Sequence, residues 1–331
     1  MMALLVGLDL GERIERQRMR VIDIDMSVAE RGGFAPASLR IQAGQTVMLR
    51  FHASDVAHAV AIGPGIGIDL GVIAPGESKE VTFTLNQPGV YTFYCNLWCS
   101  REHWRMRGVI DVIATDGSLP TASGDPVIDA LNAANIDIDS GVHTNDGTYV
   151  GAPITPDAVT LASLDVPEIL RTPAWKRTHT LADVVATLTS ANPSLSATDV
   201  TGAAASLWGE SLQATDLTQA ATLYAKNCAA CHGATGQGDG VAAALAATPP
   251  APLTATALFE RRPDILYAKI RRGGMGTGMP NFGTIFTPEE TWALVDYLWW
   301  LALGESSVQE QPEGEQPDSE TMLDGLTASI P

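Results

Sequence analysis

The four cysteines of this 331-residue chain fall into two close pairs, and a histidine follows each pair. The first pair is Cys95 and Cys99, and the second is Cys228 and Cys231. Pairs of this kind form disulfides in exported proteins, bind metals, or attach a haem. Each pair here has a complete set of further ligand residues around it, which favours metal and haem chemistry over disulfides.

The first pair belongs to the pattern C-x3-C-x3-H-x2-M, which continues through His103 and Met106. His58, at the end of an earlier pair of strands, offers a second imidazole. Thiolates, imidazoles and a thioether are the ligands that copper prefers in electron-transfer sites. One thiolate with these partners would form a mononuclear blue-copper site, whereas a second thiolate allows two sulfurs to bridge two copper ions. A zinc site would also use cysteines and histidines, but it would leave Met106 and the strand context unexplained.

The second pair belongs to the sequence Cys228-Ala-Ala-Cys231-His232, which is the C-x-x-C-H signature of covalent haem attachment. Two thioether bonds hold the haem, while one turn of helix directs His232 at the iron as the proximal ligand. The surrounding segment resembles a class I cytochrome c, and this resemblance implies that Met279 is the distal ligand, with Met275 as the alternative. No βαβ pattern surrounds the pair, which argues against a thioredoxin-like redox site.

Short strands are predicted to position the first pair. Apolar and polar residues alternate in the runs 21–26, 46–51 and 91–95, and turn residues such as Pro75-Gly76 separate the runs. About seven short strands within residues 20–114 are typical of a Greek-key β-sandwich.

The second pair lies in a region of helical periodicity. Residues 215–304 are predicted to form a small all-α domain, with helices that include 264–270 and 288–303. The intervening residues 115–214 are rich in Asp, Ala, Thr, Ser and Pro. We predict a linker with partial local structure there, including one helix-like stretch at 181–188. The chain is therefore expected to be multidomain.

The two ends of the chain are expected to lie outside these domains. Residues 305–331 are acidic and contain prolines, which is typical of a disordered tail. No segment of the sequence reaches the roughly 20 apolar residues of a membrane helix. Residues 1–19 begin with a short apolar stretch and are interpreted as an anchor stub or N-terminal extension. Haem c is attached outside the cytoplasm, so we expect a periplasmic or extracytoplasmic location and an anchor or leader missing from this sequence.

The charge balance bears on partners. The chain carries 38 acidic and 20 basic residues, for a formal net charge of −18. Nucleic-acid binding needs clustered Lys and Arg, so this class of function is excluded. An acidic surface can instead steer a basic protein partner.

The first motif resembles that of the cupredoxin-like CuA domain shared by cytochrome c oxidase subunit II and nitrous oxide reductase. The resemblance implies that Cys95 and Cys99 bridge two copper ions, that His58 and His103 each bind one copper, and that Met106 is a weak ligand. It also implies that the backbone carbonyl of Leu97 is a ligand. Many oxidase subunits have Glu at that position, where its carboxylate helps to hold magnesium. Leu97 cannot do so, and no magnesium site is predicted.

Residues 215–304 resemble a class I cytochrome c, and the order of the two domains resembles subunit II of caa3-type haem–copper oxidases. This resemblance implies that a small donor protein or complex reduces the haem, that the haem reduces the CuA centre, and that CuA reduces the membrane-bound catalytic subunit. Both centres are saturated by protein ligands, so no substrate chemistry is expected in this chain alone.

Two other copper enzymes would need more histidines than this chain provides. The catalytic copper cluster of nitrous oxide reductase needs seven histidines, whereas this chain has six, three of which are assigned to copper or haem. The chain cannot therefore be that enzyme by itself. A copper nitrite reductase would likewise need further histidines and one thiolate fewer. A periplasmic CuA/haem c shuttle, or an electron-delivering subunit of a nitric oxide or nitrous oxide reductase system, stays open.

Overall fold

The computed structural model describes residues 20–119, 124–139, 154–212, 217–246, 248–274 and 277–304. Three predictions lie outside these residues: the anchor stub, the acidic tail and the alternative ligand Met275. Among the described residues, the amino-terminal part is all β and the remainder is mostly helical. The predicted fold class, a cupredoxin-like sandwich followed by a helical cytochrome c domain, is confirmed.

Nine strands form the β-domain, two more than the pattern predicted. They are β1 (Arg20–Met26), β2 (Phe34–Ala35), β3 (Ser38–Gln42), β4 (Thr46–Ala53), β5 (His58–Gly63), β6 (Ile68–Ile73), β7 (Ser78–Thr84), β8 (Gly89–Cys95) and β9 (Arg107–Ile113). One sheet has the order β2-β1-β4-β7 and the other has the order β3-β9-β8-β5-β6. β1 pairs with β4 in parallel, as β3 does with β9, and the other ladders are antiparallel.

Alternating apolar side chains from the two sheets fill the space between them, as expected for a sandwich. In β4, Val47, Leu49 and Phe51 are fully buried, while the side chains between them are partly exposed. Phe51 and Phe93 come from opposite sheets, and their ring centroids lie 5.8 Å apart. The predicted alternation in runs 46–51 and 91–95 therefore corresponds to the core of the β-domain.

Ten α-helices lie in the described remainder of the chain. They are α1 (Pro126–Ala133), α2 (Ala158–Ala162), α3 (Pro173–Thr178), α4 (Leu181–Ala191), α5 (Ala197–Leu212), α6 (Leu217–Asn227), α7 (Ala229–His232), α8 (Ala255–Leu258), α9 (Pro263–Arg272) and α10 (Pro288–Leu303). Among them, none combines the length and apolarity needed to cross a bilayer.

The region predicted as a linker contains more regular structure than its sequence pattern indicated. Helices α1 to α5 lie within it, and α5 packs against α2, α4 and α10. Trp208 of α5 contacts Trp299 of α10, with ring centroids 4.8 Å apart. The region thus shares one hydrophobic core with the cytochrome helices, although the domain boundaries themselves stay predictions.

Strand β5 lies between the two halves of the molecule, and side chains from both halves cover its two faces. Val60 and Ile62 pack into the sandwich core, whereas Ala61 belongs to the hydrophobic cluster of the helical part. Neighbouring strand residues point to opposite faces, so every residue of β5 is buried. Gly63 allows the closest approach, since a Cβ at this position would lie 2.1 Å from the carbonyl oxygen of Ile285.

Candidate metal and haem sites

The predicted copper ligands meet where β8 ends and β9 begins. Cys95 is the last residue of β8, and its backbone N–H donates to the carbonyl of Met106, 3.1 Å away, immediately before β9. The segment between Cys95 and Met106 includes a 3₁₀ turn over His103–Arg105. This closed loop places residues 95, 99, 103 and 106 at one end of the sandwich.

The two sulfurs of the first pair lie at the centre of this cluster. The Sγ atoms of Cys95 and Cys99 are 3.9 Å apart. Cys99 Sγ is 3.6 Å from Nδ1 of His103 and 3.6 Å from Sδ of Met106. Cys95 Sγ is 3.3 Å from the carbonyl oxygen of Leu97. These donors are soft sulfur and imidazole groups with one carbonyl, which fits copper.

His58 completes the cluster from the neighbouring strand. It is the first residue of β5, which pairs with β8 so that Val60 lies opposite Cys95. One ligand atom each from His58, Cys95 and Cys99 lies within 4.8 Å of the other two. His58 is fully buried, and its Nδ1 has no hydrogen-bond partner among the described residues. A buried nitrogen without a partner is costly unless a metal uses it.

Asp55 orients this imidazole, a role that the sequence analysis did not assign to it. Its carboxylate lies 2.8 Å from Nε2 of His58, which leaves Nδ1 directed at the sulfurs. A carboxylate that holds the far nitrogen of a ligating histidine is a common feature of metal sites. Burial favours the neutral acid, but hydrogen bonds from the Val28 amide and from His58 outweigh it and lower the pKa of Asp55. The acidic residue three positions before His58 was the available signal.

Without a metal, the cluster favours a thiolate at one of the two cysteines. The hydrogen bond with Cys99 is the main cause of a Cys95 pKa well below its usual value, and His103 and His58 add to it against the effect of burial. The same contact and burial raise the pKa of Cys99. Negative charge is therefore stabilised first on the Cys95 sulfur, which faces both imidazoles.

The haem-attachment signature lies where α6 passes into α7. The N–H of Cys228 donates to the carbonyl of Tyr224, 2.8 Å away, so the helical path continues to the motif. The Tyr224 hydroxyl donates to the carbonyl of Gly233, 2.7 Å away, and closes the turn after His232. Burial lowers the pKa of His232, against the effect of the Ala251 backbone, and a neutral imidazole is the form that binds iron.

The predicted distal ligand lies in a loop before α10. The N–H of Gly274 donates to the carbonyl of Met279, 3.2 Å away, and the Met279 N–H lies 3.2 Å from the Thr277 hydroxyl. Gly273 has φ +82°, and a Cβ there would lie 2.7 Å from the Met279 carbonyl. Glycine is therefore needed where this loop approaches α9.

Both sites open into one cavity of about 430 Å³. Its walls include residues of the copper loop and of the haem motif: Cys95, Trp98, His103, Cys228, Cys231, His232 and Met279. A volume of this size suits a bound cofactor. Trp98, whose ring centroid is 5.6 Å from that of His103, therefore lines a cavity between the sites as well as the copper loop.

A polar contact next to Met106 also connects the β-domain with the helical part. The Arg107 guanidinium donates to the carbonyl of Asn281 and lies over the Phe282 ring, 5.5 Å from its centroid. Burial lowers the pKa of Arg107 to about 10. Since Asn281 follows Met279 by two residues, this contact joins the copper loop to the distal loop of the haem site.

Comparisons with known families agree with this division. The model of the cupredoxin-like domain matches residues 1–110, and the model of cytochrome c oxidase, cbb3-type, subunit III matches residues 215–298. The chain is a fusion of a cupredoxin-like domain and a cytochrome c domain. This pairing of a copper-binding domain with a haem-binding domain supports a role in electron transfer.

Solved structures match over 28% of the chain. Dithionite-reduced auracyanin from Roseiflexus castenholzii is 24% identical, with 95% of its chain covered and a TM-score of 0.24. A haem–copper terminal oxidase dimer is also 24% identical, with 64% of its chain covered and a TM-score of 0.24. The metal-binding domain of the Cu(I)-exporting ATPase CopA from Streptococcus pneumoniae is 23% identical, with 84% covered and a TM-score of 0.23. No curated protein matches the chain.

Proposed function

We propose that this chain relays electrons from a donor protein through a covalently bound haem c to a dinuclear CuA centre, and then to the catalytic subunit of a haem–copper oxidase. The single observation that carries the relay between the two centres is the shared cavity, which residues of both sites line; the order of transfer rests on the resemblance to subunit II of caa3-type oxidases. Redox groups held there would exchange electrons without a diffusional encounter, because one chain fixes their effective concentration.

The arrangement of the sulfurs supports two copper ions over one. The sulfurs of Cys95 and Cys99 lie 3.9 Å apart, Nδ1 of His103 lies 3.6 Å from the Cys99 sulfur, and His58 contacts the Cys95 side chain. Burial disfavours protonation of His58, but contacts with Cys95 and Asp55 outweigh it and raise the His58 pKa. His58 and His103 would each hold one metal, with the Leu97 carbonyl and Met106 as the remaining ligands. A copper pair bridged in this way supplies a one-electron couple with little change in bond lengths.

The haem motif supports covalent attachment. Both cysteines of the motif are free thiols and line the cavity with His232 and Met279. Cys228 and Cys231 would form the two thioethers, and His232 and Met279 would be the iron ligands. A haem that both of these residues hold would transfer electrons and would not bind O₂.

The proposed acceptor, donor and location rest on the family match, the net charge and the chemistry of haem attachment. The matched family model describes a subunit of a cytochrome c oxidase, which favours an oxidase as the acceptor. The net charge of −18 favours a donor with a basic surface. Because haem c is attached outside the cytoplasm, we propose a location in the periplasm or on the extracytoplasmic face of the membrane.

Metal analysis and rapid-mixing kinetics of the matured full chain test the proposal. We expect two coppers and one haem per chain, an EPR signal from one electron shared equally by two coppers, and haem reduction before copper reduction when reduced donor is added. One copper or one zinc per chain would overturn the dinuclear assignment. Reduction of copper before haem would overturn the order of transfer.

A further inference from the structure

A single carboxylate connects the copper loop to the helix that carries the haem motif. Oδ2 of Asp69, in β6, accepts hydrogen bonds from Nδ2 of Asn96 at 3.0 Å and from Nζ of Lys226 at 2.5 Å. Its other oxygen, Oδ1, accepts from the Gly71 N–H at 2.8 Å, which fixes the side chain on its own strand. Asp69 is thus bound to three separate points of the molecule at once.

The two partners of Asp69 lie next to the candidate copper and haem sites in the sequence. Asn96 directly follows the predicted copper ligand Cys95, and Lys226 precedes the haem-attachment residue Cys228 by two residues. The contact joins residues 157 positions apart in the chain. Together with the contact between Arg107 and Asn281 described above, it means that polar bridges connect the copper site to both the proximal and the distal side of the haem site.

We propose that Asp69 is a positioning residue that holds the haem-bearing helix against the copper loop in the arrangement for electron transfer. The inference rests on the proposed function, because it assigns a role within the same relay. Side chains of Asp69 and Lys226 are 34% and 41% exposed, so the pair is accessible to salt. Such a pair is weak and is screened as ionic strength rises. Docking of the haem domain should therefore depend on ionic strength.

The surroundings of Asn96 favour a specific role over an incidental surface contact. Asn96 is 7% exposed, and its Oδ1 is buried without a hydrogen-bond partner among the described residues. Its amide is therefore held by the bond to Asp69. Rotation of the amide would present Oδ1 instead of Nδ2, so the site can also accept a positive charge at position 69.

Electron transfer within the full-length, copper- and haem-loaded protein tests the inference. The variants are Asp69→Asn, Lys226→Gln and the charge exchange Asp69→Lys with Lys226→Asp. Asp23→Asn is the matched control, because Asp23 forms a comparable exposed pair with Arg50, at 2.8 Å, on the other sheet. After photoreduction of the haem, the transfer rate to copper is measured from about 20 to about 500 mM salt. Reduction potentials of both centres are measured, so that a changed driving force is not mistaken for changed docking.

We expect the wild-type rate to fall with salt, and Asp69→Asn and Lys226→Gln to lower the rate at low salt by up to about fivefold. Both variants should lose most of the salt dependence, the charge exchange should restore much of the rate, and Asp23→Asn should match the wild type. A wild-type rate and salt dependence in Asp69→Asn would overturn the inference.

Hydrogen exchange provides a second measurement that does not depend on electron transfer. Residues 66–72 and 222–228 should exchange faster in Asp69→Asn than in the wild type, and unchanged exchange would contradict the inference. If the wild type showed no haem-to-copper transfer, the proposed function would fail, while hydrogen exchange would still decide the role of Asp69.

Discussion

Gly63→Ala tests whether the two halves of the molecule depend on close contact at the end of β5. The added Cβ would lie 2.1 Å from the carbonyl oxygen of Ile285 and 3.1 Å from its carbonyl carbon. The obstacle is backbone of the helical part, which cannot rotate away as a side chain could. Either the helical part must move back from the sheet, or β5 must distort.

The size of the effect follows from that distance. Cβ contacts below 3.0 Å are essentially never seen, so the two backbones must separate by roughly 1 Å. Inserting one methyl group into a closely packed contact typically costs about 1–3 kcal/mol. If the helical part gives way, this cost corresponds to about a 5- to 150-fold shift from the docked to the undocked arrangement.

Hydrogen-exchange mass spectrometry of residues 59–63 and 281–287 measures this shift, because the two halves meet at these segments and undocking would expose both of them to solvent. The matched control is Gly89→Ala in β8, where an added Cβ meets only the Tyr91 side chain, at 3.3 Å. Faster exchange in Gly63→Ala alone is the expected result. If β5 distorts instead, the copper EPR signal should change, because His58 begins this strand. Unchanged exchange together with an unchanged copper signal would refute the packing argument.

Substitutions at three further positions test a metal ligand, a buried charge and a helix cap. Cys99→Ser should abolish the EPR signal shared by two coppers and leave the haem absorbance unchanged; a retained signal would contradict the bridging role. Burial lowers the pKa of Lys176 from 10.5 to about 8. The unfolded chain therefore binds more protons between these values, and stability rises with pH there. Lys176→Met should stabilise the protein at pH 7 by up to about 3 kcal/mol, and by less at about pH 10, in urea denaturation; an equal gain at both would contradict this. Asp125 caps α1 and forms a buried pair with Arg271 at 2.7 Å. Asp125→Ala should cost about 3–5 kcal/mol in the same assay, and Asp125→Asn, which keeps the cap, should cost less; equal losses would show that the cap contributes little.

The two clusters of candidate ligands were predictable because most of each is local in sequence. Cys95, Cys99, His103 and Met106 all lie on the segment from the end of β8 to the start of β9, so their spacing largely determines their geometry. The haem motif is likewise confined to one helical turn. His58 was found because a sandwich brings the end of a neighbouring strand to the same edge.

The helices of residues 115–214 were harder to predict for a physical reason. An amphipathic helix repeats its apolar residues with a period near 3.6, and that period is the main sequence signal. Helix α5 lacks it, since residues 200–209 are buried on all sides. Small residues such as Ala203, Ala204 and Ala205 allow this close packing, but in sequence they resemble a linker.

Contacts between the two halves were not predictable from local pattern either. Asp69 and Lys226, or Gly63 and Ile285, are distant in sequence and have no characteristic spacing. The burial of β5 nevertheless left a trace. A strand of a sandwich with one solvent-exposed face should alternate apolar and polar residues, whereas His58–Gly63 contains no Asp, Glu, Lys or Arg and is apolar after His58.

The apolar sequence of β5 indicates that the outer face of this strand is covered by the helical part. Ala61 and Tyr94 lie side by side on the outer face of the sheet and are 5% and 6% exposed because the helical part covers them. If the two halves separated, Ala61 and Tyr94 would become part of an exposed apolar patch beside the copper loop. Exposure of such a patch to water is unfavourable. Hydrophobic burial at β5 therefore supplies most of the attraction between the halves, while weaker polar contacts such as the pair of Asp69 and Lys226 set their orientation. On this reasoning, salt should alter the geometry and rate of transfer more readily than it separates the domains.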